Sequence, residues 1–284
     1  MNAEQYQQIV ENWLNEMPDE RHTQAEKGST DFTFVKRTEI DQWFSTWLQQ
    51  LPESQKRTMM EGLDQLLLYL TRFFQRTSRC QTIENNILRQ ARLFQEQLTT
   101  IEDMRHLKFH QLEYMEEQFK QKYAAYALAQ GGLAGLGRPI FLLLDFPALL
   151  TINLNVVQYI AGVYGHSLKN PGEQILALKV LHAASLPKTY RRPAWEWLMD
   201  QYDRENDLNL YVQENGTMIQ PEWLETIAKQ CVKTMLLYGM NKTTRKNFSL
   251  LGIALGANSN YRFTKQVGEF VSHFYRYRHL AEKV

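Results

Sequence analysis

A chain of 284 residues with 44% apolar side chains can bury a continuous core, which excludes a disordered polymer. Its eight prolines and fourteen glycines are concentrated in a few places, which suits long helices better than many short strands and predicts an all-α class. Cys80 and Cys231 stand far apart with no metal-ligand spacing, so neither a zinc site nor a disulfide framework is indicated and a reducing, cytoplasmic setting fits.

The N-terminus lacks the basic start and apolar run of a signal peptide. Tyr6, Val10, Trp13 and Met17 recur at helical spacing, and Pro18 opens a polar loop that reaches about Asp31. Thr38 with Asp41 predicts a capped helix striped by Ile40, Trp43, Trp47 and Leu51; Pro52 closes it and opens the next, lined by Leu63, Leu66, Leu67, Leu70, Phe73 and Phe74. A long helical pattern follows through Ile83, Ile87, Ala91, Phe94, Leu98 and Ile101. A shifted stripe of Leu112, Met115, Phe119, Tyr123 and Tyr126 then leads into a glycine-rich run, with one helix expected to span both.

Further on, Asn170-Pro171-Gly172-Glu173 combines a capping Asn, Pro at the first helical position and an early acid, and predicts a helix through Leu186 that Pro187 stops. Trp195, Leu198, Met199 and Tyr202 mark another. Leu208, Leu210 and Val212 before Asn215-Gly216 fit either a small hairpin or a loop. Helical spacing restarts at Trp223, Ile227 and Cys231, and the last helix carries Val267, Phe270, Val271, Phe274 and Ala281. The expected architecture is a multi-helix bundle around a central glycine-rich apolar helical hairpin.

That hairpin is the nearly uncharged stretch from Ala127 to Gly165. Ala127, Gly131 and Gly135 fall four apart, and Gly252 with Gly256 make a second small-residue stripe; such stripes let helices cross closely in a soluble core or in lipid. The run Phe146 to Tyr164 approaches bilayer length, yet it contains Asn153, Asn155, Gln158 and Pro147. The adjoining Asp145 would cost on the order of 2.5 to 3.5 kcal/mol at a helix centre in lipid. A re-entrant hairpin or a helix pair buried in the protein is therefore expected over a membrane pass. Asp145 is read as a cap ahead of Pro147 or a partner of Arg138, and Asp145, Asn153, Asn155 and Asn260 as the polar points that fix the hairpin or a ligand.

His106, His110, Glu113 and Glu117 fall at positions that would share one helix face, a candidate for metal ligation. There is no second Glu-x-x-His element to complete a two-metal bundle site, so a solvated polar face is the expected role and no cofactor is expected. Nucleophile elbows, phosphate loops, His-Glu-x-x-His and dinucleotide fingerprints are absent from the sequence.

Charge is unevenly distributed: residues 1–31 hold seven acids against Arg21 and Lys27, while from Lys233 onward nine Lys or Arg face Glu269 and Glu282. Lys242, Arg245 and Lys246, followed by Phe248-Ser-Leu-Leu-Gly-Ile, form with Arg262 a basic stretch beside an apolar one. Each such cation contributes about 1 kcal/mol near an anionic leaflet. Nucleic acid is not an expected partner, because no recognition motif accompanies the charge.

Several blocks of the sequence resemble the EcsC protein family: Gly131-Gly-Leu-Ala-Gly-Leu-Gly with Leu144-Asp145-Phe146-Pro147, Tyr159-Ile-Ala-Gly-Val-Tyr164-Gly165, Gly256-Ala-Asn-Ser-Asn260-Tyr-Arg, and Tyr275-Arg-Tyr-Arg278-His-Leu. Asn247-Phe-Ser-Leu-Leu-Gly252 departs from the family pattern, which has a proline and an extra glycine there. The resemblance divides the chain into an N-terminal helical extension, 1–51, and an EcsC-like helical domain, 52–284. It implies a cytoplasmic, membrane-associated helical protein linked to an ABC transporter involved in export, with an anionic membrane surface or a transporter subunit as partner. No catalytic residue set goes with the family, so a non-enzymatic role is expected; the alternative is a metal-dependent or Asp-dependent enzyme using Asp145 or the His106/His110 face.

Overall fold

The computed structural model describes residues 2–15, 77–134, 140–186, 190–204 and 257–282, together with isolated positions between 42 and 64; of 131–134 and 140–147 it describes the backbone alone. Among these residues the chain is helical, with no strand. The helices are α1 (Ala3–Asn15), α2 (Thr77–Ala91), α3 (Phe109–Ala134), α4 (Ile140–Val163), α5 (Pro171–Ser185), α6 (Arg191–Arg204) and α7 (Ala257–Ala281), with a short 3-10 helix at Glu102–His106. The helices expected through Trp43, Leu66 and Trp223, the hairpin or loop at Asn215, and the stripe of Gly252 and Gly256 lie outside the described residues. At Pro52 one helical turn is seen as expected, the Lys56 N–H donating to the Pro52 carbonyl at 3.0 Å.

Three helices make the centre. Leu112, Met115, Phe119 and Tyr123 of α3 are buried as their spacing predicts, and the helix continues past Gly131 to Ala134, so one helix does carry both the amphipathic and the apolar part. Tyr126, the last member of that stripe, is instead exposed. The Phe119 and Tyr159 rings lie 4.3 Å apart, and Tyr164 bonds to Glu116, so α4 runs antiparallel to α3. Arg276 of α7 also reaches Glu116, while Gly268, two turns earlier, faces Lys120 of α3 and Val156 of α4. Hence α7 is antiparallel to α3 and parallel to α4. A Cβ at Gly268 would lie 3.3 Å from two Lys120 carbons, so glycine here permits the close approach of three helices.

The apolar run of α4 is absorbed by this packing: Leu149, Leu150, Leu154, Val157, Ile160 and Tyr164 are all buried. Among the described residues no helix is long and apolar enough to cross a membrane. Around the centre, α2 packs on α4, α5 on α4 and α7, α6 on α5, and α1 on α7. Tyr6, Val10 and Leu14 bury the inner face of α1, and Trp13 stacks 4.3 Å from the His273 ring. At the start of α5 the Asn170 side chain accepts from the Gly172 N–H at 2.9 Å, the cap read from the sequence. At its end the Gln266 amide donates to the carbonyls of Ala184 and Leu186, groups a helix terminus otherwise leaves unpaired.

Two expectations are corrected. The pattern Ile83 to Ile101 is not one helix: α2 ends at Ala91, Phe94 is exposed, and Leu98 and Ile101 are buried from an irregular connection. Asp103 organises that connection, accepting the Thr99 and Thr100 N–H groups at 2.8 Å each and so favouring a new 3-10 start over continued α-helix. These donors hold the Asp103 carboxyl down at about 2. Asp145, in turn, does not occupy a cap position, because α4 begins at Ile140 and its backbone is helical through both Asp145 and Pro147.

Candidate functional site

Two buried ionic networks and a set of unpaired amides converge on α7. In the first network, Glu116 of α3 is fully buried and receives a fork from Arg276, Nε at 2.8 Å and Nη2 at 3.1 Å. Tyr164 donates to it at 2.5 Å, and Lys120 stands 3.1 Å away. Burial pushes the Glu116 carboxyl up, but Arg276 and Lys120 outweigh burial and hold it below its ordinary value, so it is a carboxylate. Burial and the Glu116 charge push the Tyr164 phenol well up, keeping it a donor. Glu113 adds a second contact to Arg276 at 3.1 Å.

The second network ties α5, the α4–α5 turn and the C-terminus of α7. Arg278 donates through both terminal nitrogens to Glu173, at 2.7 and 2.6 Å, and through Nε to Glu282 at 2.7 Å. Glu173 stands in the first turn of α5, as the sequence suggested, and is also an ion-pair partner across the core. Arg105 meets Glu282 at 3.4 Å and His166 Nδ1 at 3.2 Å. Burial, then Arg278 and Arg105, push His166 well below the ordinary imidazole range despite Glu173 at 3.6 Å, so the ring is neutral and accepts from Arg105. Gly165, at φ 85°, makes the turn that sets His166 in place.

The amides behave differently. Asn153 of α4 is fully buried; its Nδ2 donates to the Leu149 carbonyl at 2.8 Å, while Oδ1 has no partner. Asn260 of α7 is fully buried with neither amide atom paired, and Thr264, one turn on, leaves its hydroxyl unpaired. Thr264 lies one turn before Gly268 and Asn153 one turn before Val156, so both fall in the α4–α7 seam. Gln158, also buried with both amide atoms unpaired, lines a narrow cleft between α2 and α4, with room for about one water, together with Cys80, Glu84 and His166. Its neighbours there are engaged: Glu84 accepts from Ser167 at 2.5 Å and pairs with Lys169, and Cys80 faces the Leu168 carbonyl at 3.7 Å.

Of the other residues singled out from the sequence, Asn155 is half-buried on α4 and has a partner, and Arg262 is exposed on α7. The side chain of Asp145 and all of Lys242, Arg245 and Lys246 lie outside the described residues. The metal face is not assembled. His106 ends the 3-10 helix, Leu107 is extended at ψ 153°, and Lys108 starts α3 anew by donating to Gln111, so the two histidines share no helix. Glu113 is turned to Arg276 and Glu117 to Lys120 at 2.8 Å; among the described residues no three His, Cys, Asp or Glu side chains are grouped to hold a metal. Two cations of the basic C-terminal third, Arg276 and Arg278, are neutralised internally and contribute little to an outward field.

Two of the quoted sequence blocks supply these networks: Tyr159 to Gly165 provides Tyr164 and the turn, and Tyr275 to Leu280 provides both arginines. The EcsC protein family profile matches residues 10–280. The chain belongs to the EcsC family. The uncharacterized protein YdbA of Bacillus subtilis is 24% identical over 279 residues, covering 94% of this chain and 97% of that protein. Protein EcsC of the same organism is 25% identical over 166 residues, covering 56% of this chain and 60% of EcsC. No solved structure matches. The family profile begins inside α1 and ends inside α7, so it reaches every described helix.

Proposed function

We propose that this EcsC-family chain is a non-enzymatic helical protein that works peripherally at the inner face of the membrane, in association with ABC-transporter-linked export. The observation that carries the reading is the way the interior ionisable groups are engaged. Glu116, Glu173, Arg276 and Arg278 are locked to one another across helices, and His166 is held neutral among them. Groups so paired hold helices in register and have no free valence for acid–base work on a substrate, which leaves function to the surface. The basic sequence around Lys242, Arg245 and Lys246 supplies the attraction to anionic lipid, with Arg262 beside it.

Flotation of the full chain with anionic vesicles tests this: co-flotation at low salt that declines as salt is raised is expected, since screening shortens the reach of surface charge. Protein that stays at the bottom of the gradient at low salt refutes it. A second reading is favoured by one observation, the unpaired amide of Asn260: a small neutral polar ligand held in the α4–α7 seam. A rise in melting temperature with such a compound, lost in Asn260→Leu, is its test.

A further inference from the structure

The turn that ends α2 carries a cluster of exposed apolar side chains that the bundle does not use. Leu93 is 85% exposed and Phe94 41%, and Tyr114 of α3, 59% exposed, meets the Phe94 ring edge-on with centroids 6.2 Å apart. Lone exposed apolar residues are ordinary, but here Phe94 and Tyr114 touch and Leu93 adjoins Phe94 in the chain, which makes a patch. A core was within reach, because Leu88, Ala91 and Leu98 on either side are buried. The cluster is a convex tip rather than a groove, and two or three side chains are far short of the roughly 800 Å² per partner of a stable protein interface.

Its surroundings are those of a lipid-facing edge. Arg89, one turn before Leu93, and Arg92 beside it are exposed, and neither is ion-paired among the described residues. The Arg92 Nε is held by the Leu98 carbonyl at 2.9 Å, which fixes the side chain next to the tip. Glu96 is the only acid between residues 85 and 101. On α3, Tyr114, Gln118, Lys122 and Tyr126 follow one another at intervals of four and are all exposed, with Lys122 5.8 Å over the Tyr126 ring. Apolar side chains at the point, tyrosines beside them and exposed cations around them match, in order, the acyl boundary, the headgroup level and the phosphates of a bilayer.

We propose that Leu93 and Phe94 form a membrane-insertion tip for an anionic leaflet, with Tyr114 seated at the headgroups and Arg89 and Arg92 on lipid phosphates. This rests on the peripheral-membrane reading above and names the contact it uses. The test is flotation of the full chain with vesicles of phosphatidylcholine containing about one third phosphatidylserine. Leu93→Asp combined with Phe94→Ser is expected to lower the bound fraction about tenfold at an unchanged melting temperature, since both side chains are already exposed. Arg89→Gln with Arg92→Gln is expected to weaken binding less and to reduce its salt dependence. If the wild type floats and the tip variant floats equally well, the tip is wrong while membrane association stands; if the wild type does not float, both fall. A polarity-sensitive dye on Leu93→Cys, in a Cys231→Ser background with Cys80 buried, should shift to the blue when vesicles are added. A protein that floats while the dye remains unshifted overturns the insertion, and points to a soluble partner for the tip.

Discussion

The two halves of α7 treat buried polarity in opposite ways. From Ser272 to Glu282 the helix buries charge and answers it, with Arg276 on Glu116 and Arg278 on Glu173 and Glu282. From Asn260 to Gly268 it answers the Gln266 amide with two backbone carbonyls, but buries the Asn260 amide and the Thr264 hydroxyl and leaves them unanswered. The difference follows from magnitudes. An unpaired buried ion costs several kcal/mol and forces a partner to be found, whereas an unpaired amide costs about 1 to 3 kcal/mol, which a domain can tolerate where the group has another use.

The largest effect that would sharpen this contrast comes from breaking an ion pair on one side only. Arg278→Met leaves Glu173 and Glu282 charged and Glu173 buried, and is expected to cost about 3 to 5 kcal/mol in chemical denaturation. Adding Glu173→Met should restore a large part of the loss, because the pair is then replaced by apolar volume. A single variant that unfolds at the wild-type denaturant midpoint would break the comparison, since the C-terminal half of α7 would then hold its charges no more tightly than the other half holds its amides.

Next in size is the response to acid. Burial lowers His182 to about 4, and burial with Arg276 lowers His273 to about 4, against an ordinary value near 6.5. Above pH 6.5 both states are neutral and nothing changes. Between 6.5 and 4 the unfolded chain takes up protons that the folded one refuses, so stability falls by about 3 kcal/mol per histidine. Glu116 acts in the window below this: its folded value lies under the ordinary one, so its contribution is present above about 4.5 and is lost as pH drops further. Melting temperatures recorded from pH 7 to 4 should decline throughout, and His182→Gln should flatten the upper part of the decline.

The sequence made much of this bundle legible, but not these pairings. Tyr6 and Val10, the stripe of α3, the Asn170 cap and the Val267 to Phe274 face could be read because each is a local periodicity or a local hydrogen bond. Leu98 and Ile101 kept helical spacing in a segment that is not α-helical, since burial from an irregular connection can mimic period 3.6 over two residues, and Phe94 matched that spacing while exposed. Glu116 and Glu173 went unrecognised because their partners lie 160 and 105 residues away. The signal that was available is Tyr275-Arg-Tyr-Arg278, two arginines on a helix whose neighbours Phe274 and Tyr275 belong to the core face. Asn153 was easier to see, standing out as a polar residue in an apolar run, a contrast that needs no partner, whereas Asn260 was singled out only within the Gly256 to Arg262 block of the family resemblance.

A smaller effect probes the amide half directly. Asn260→Leu keeps the branching at Cγ with some added volume and removes two unpaired polar atoms, and is expected to raise stability by about 1 kcal/mol in thermal melts of the isolated protein. A loss of stability instead would mean that the amide is satisfied, by a bound water or ligand, and the two halves of α7 would then obey one rule.

The smallest expected effect lies at the turn that serves the charged half. Gly165 sits at φ 85°, where an L side chain is strained, and a Cβ there would come 2.5 Å from Cγ of Arg105. Arg105 is partly exposed and can swing away, though doing so releases its contacts to His166 and Glu282. Gly165→Ala is therefore expected to cost about 1 kcal/mol, mostly from the backbone. Arg105→Ala in the same chain separates the two causes: if the backbone dominates, removing the arginine leaves the alanine's penalty in place, and if the clash dominates, the penalty disappears. The second outcome would mean that the turn tolerates a side chain and that Arg105, rather than the glycine, fixes where His166 stands.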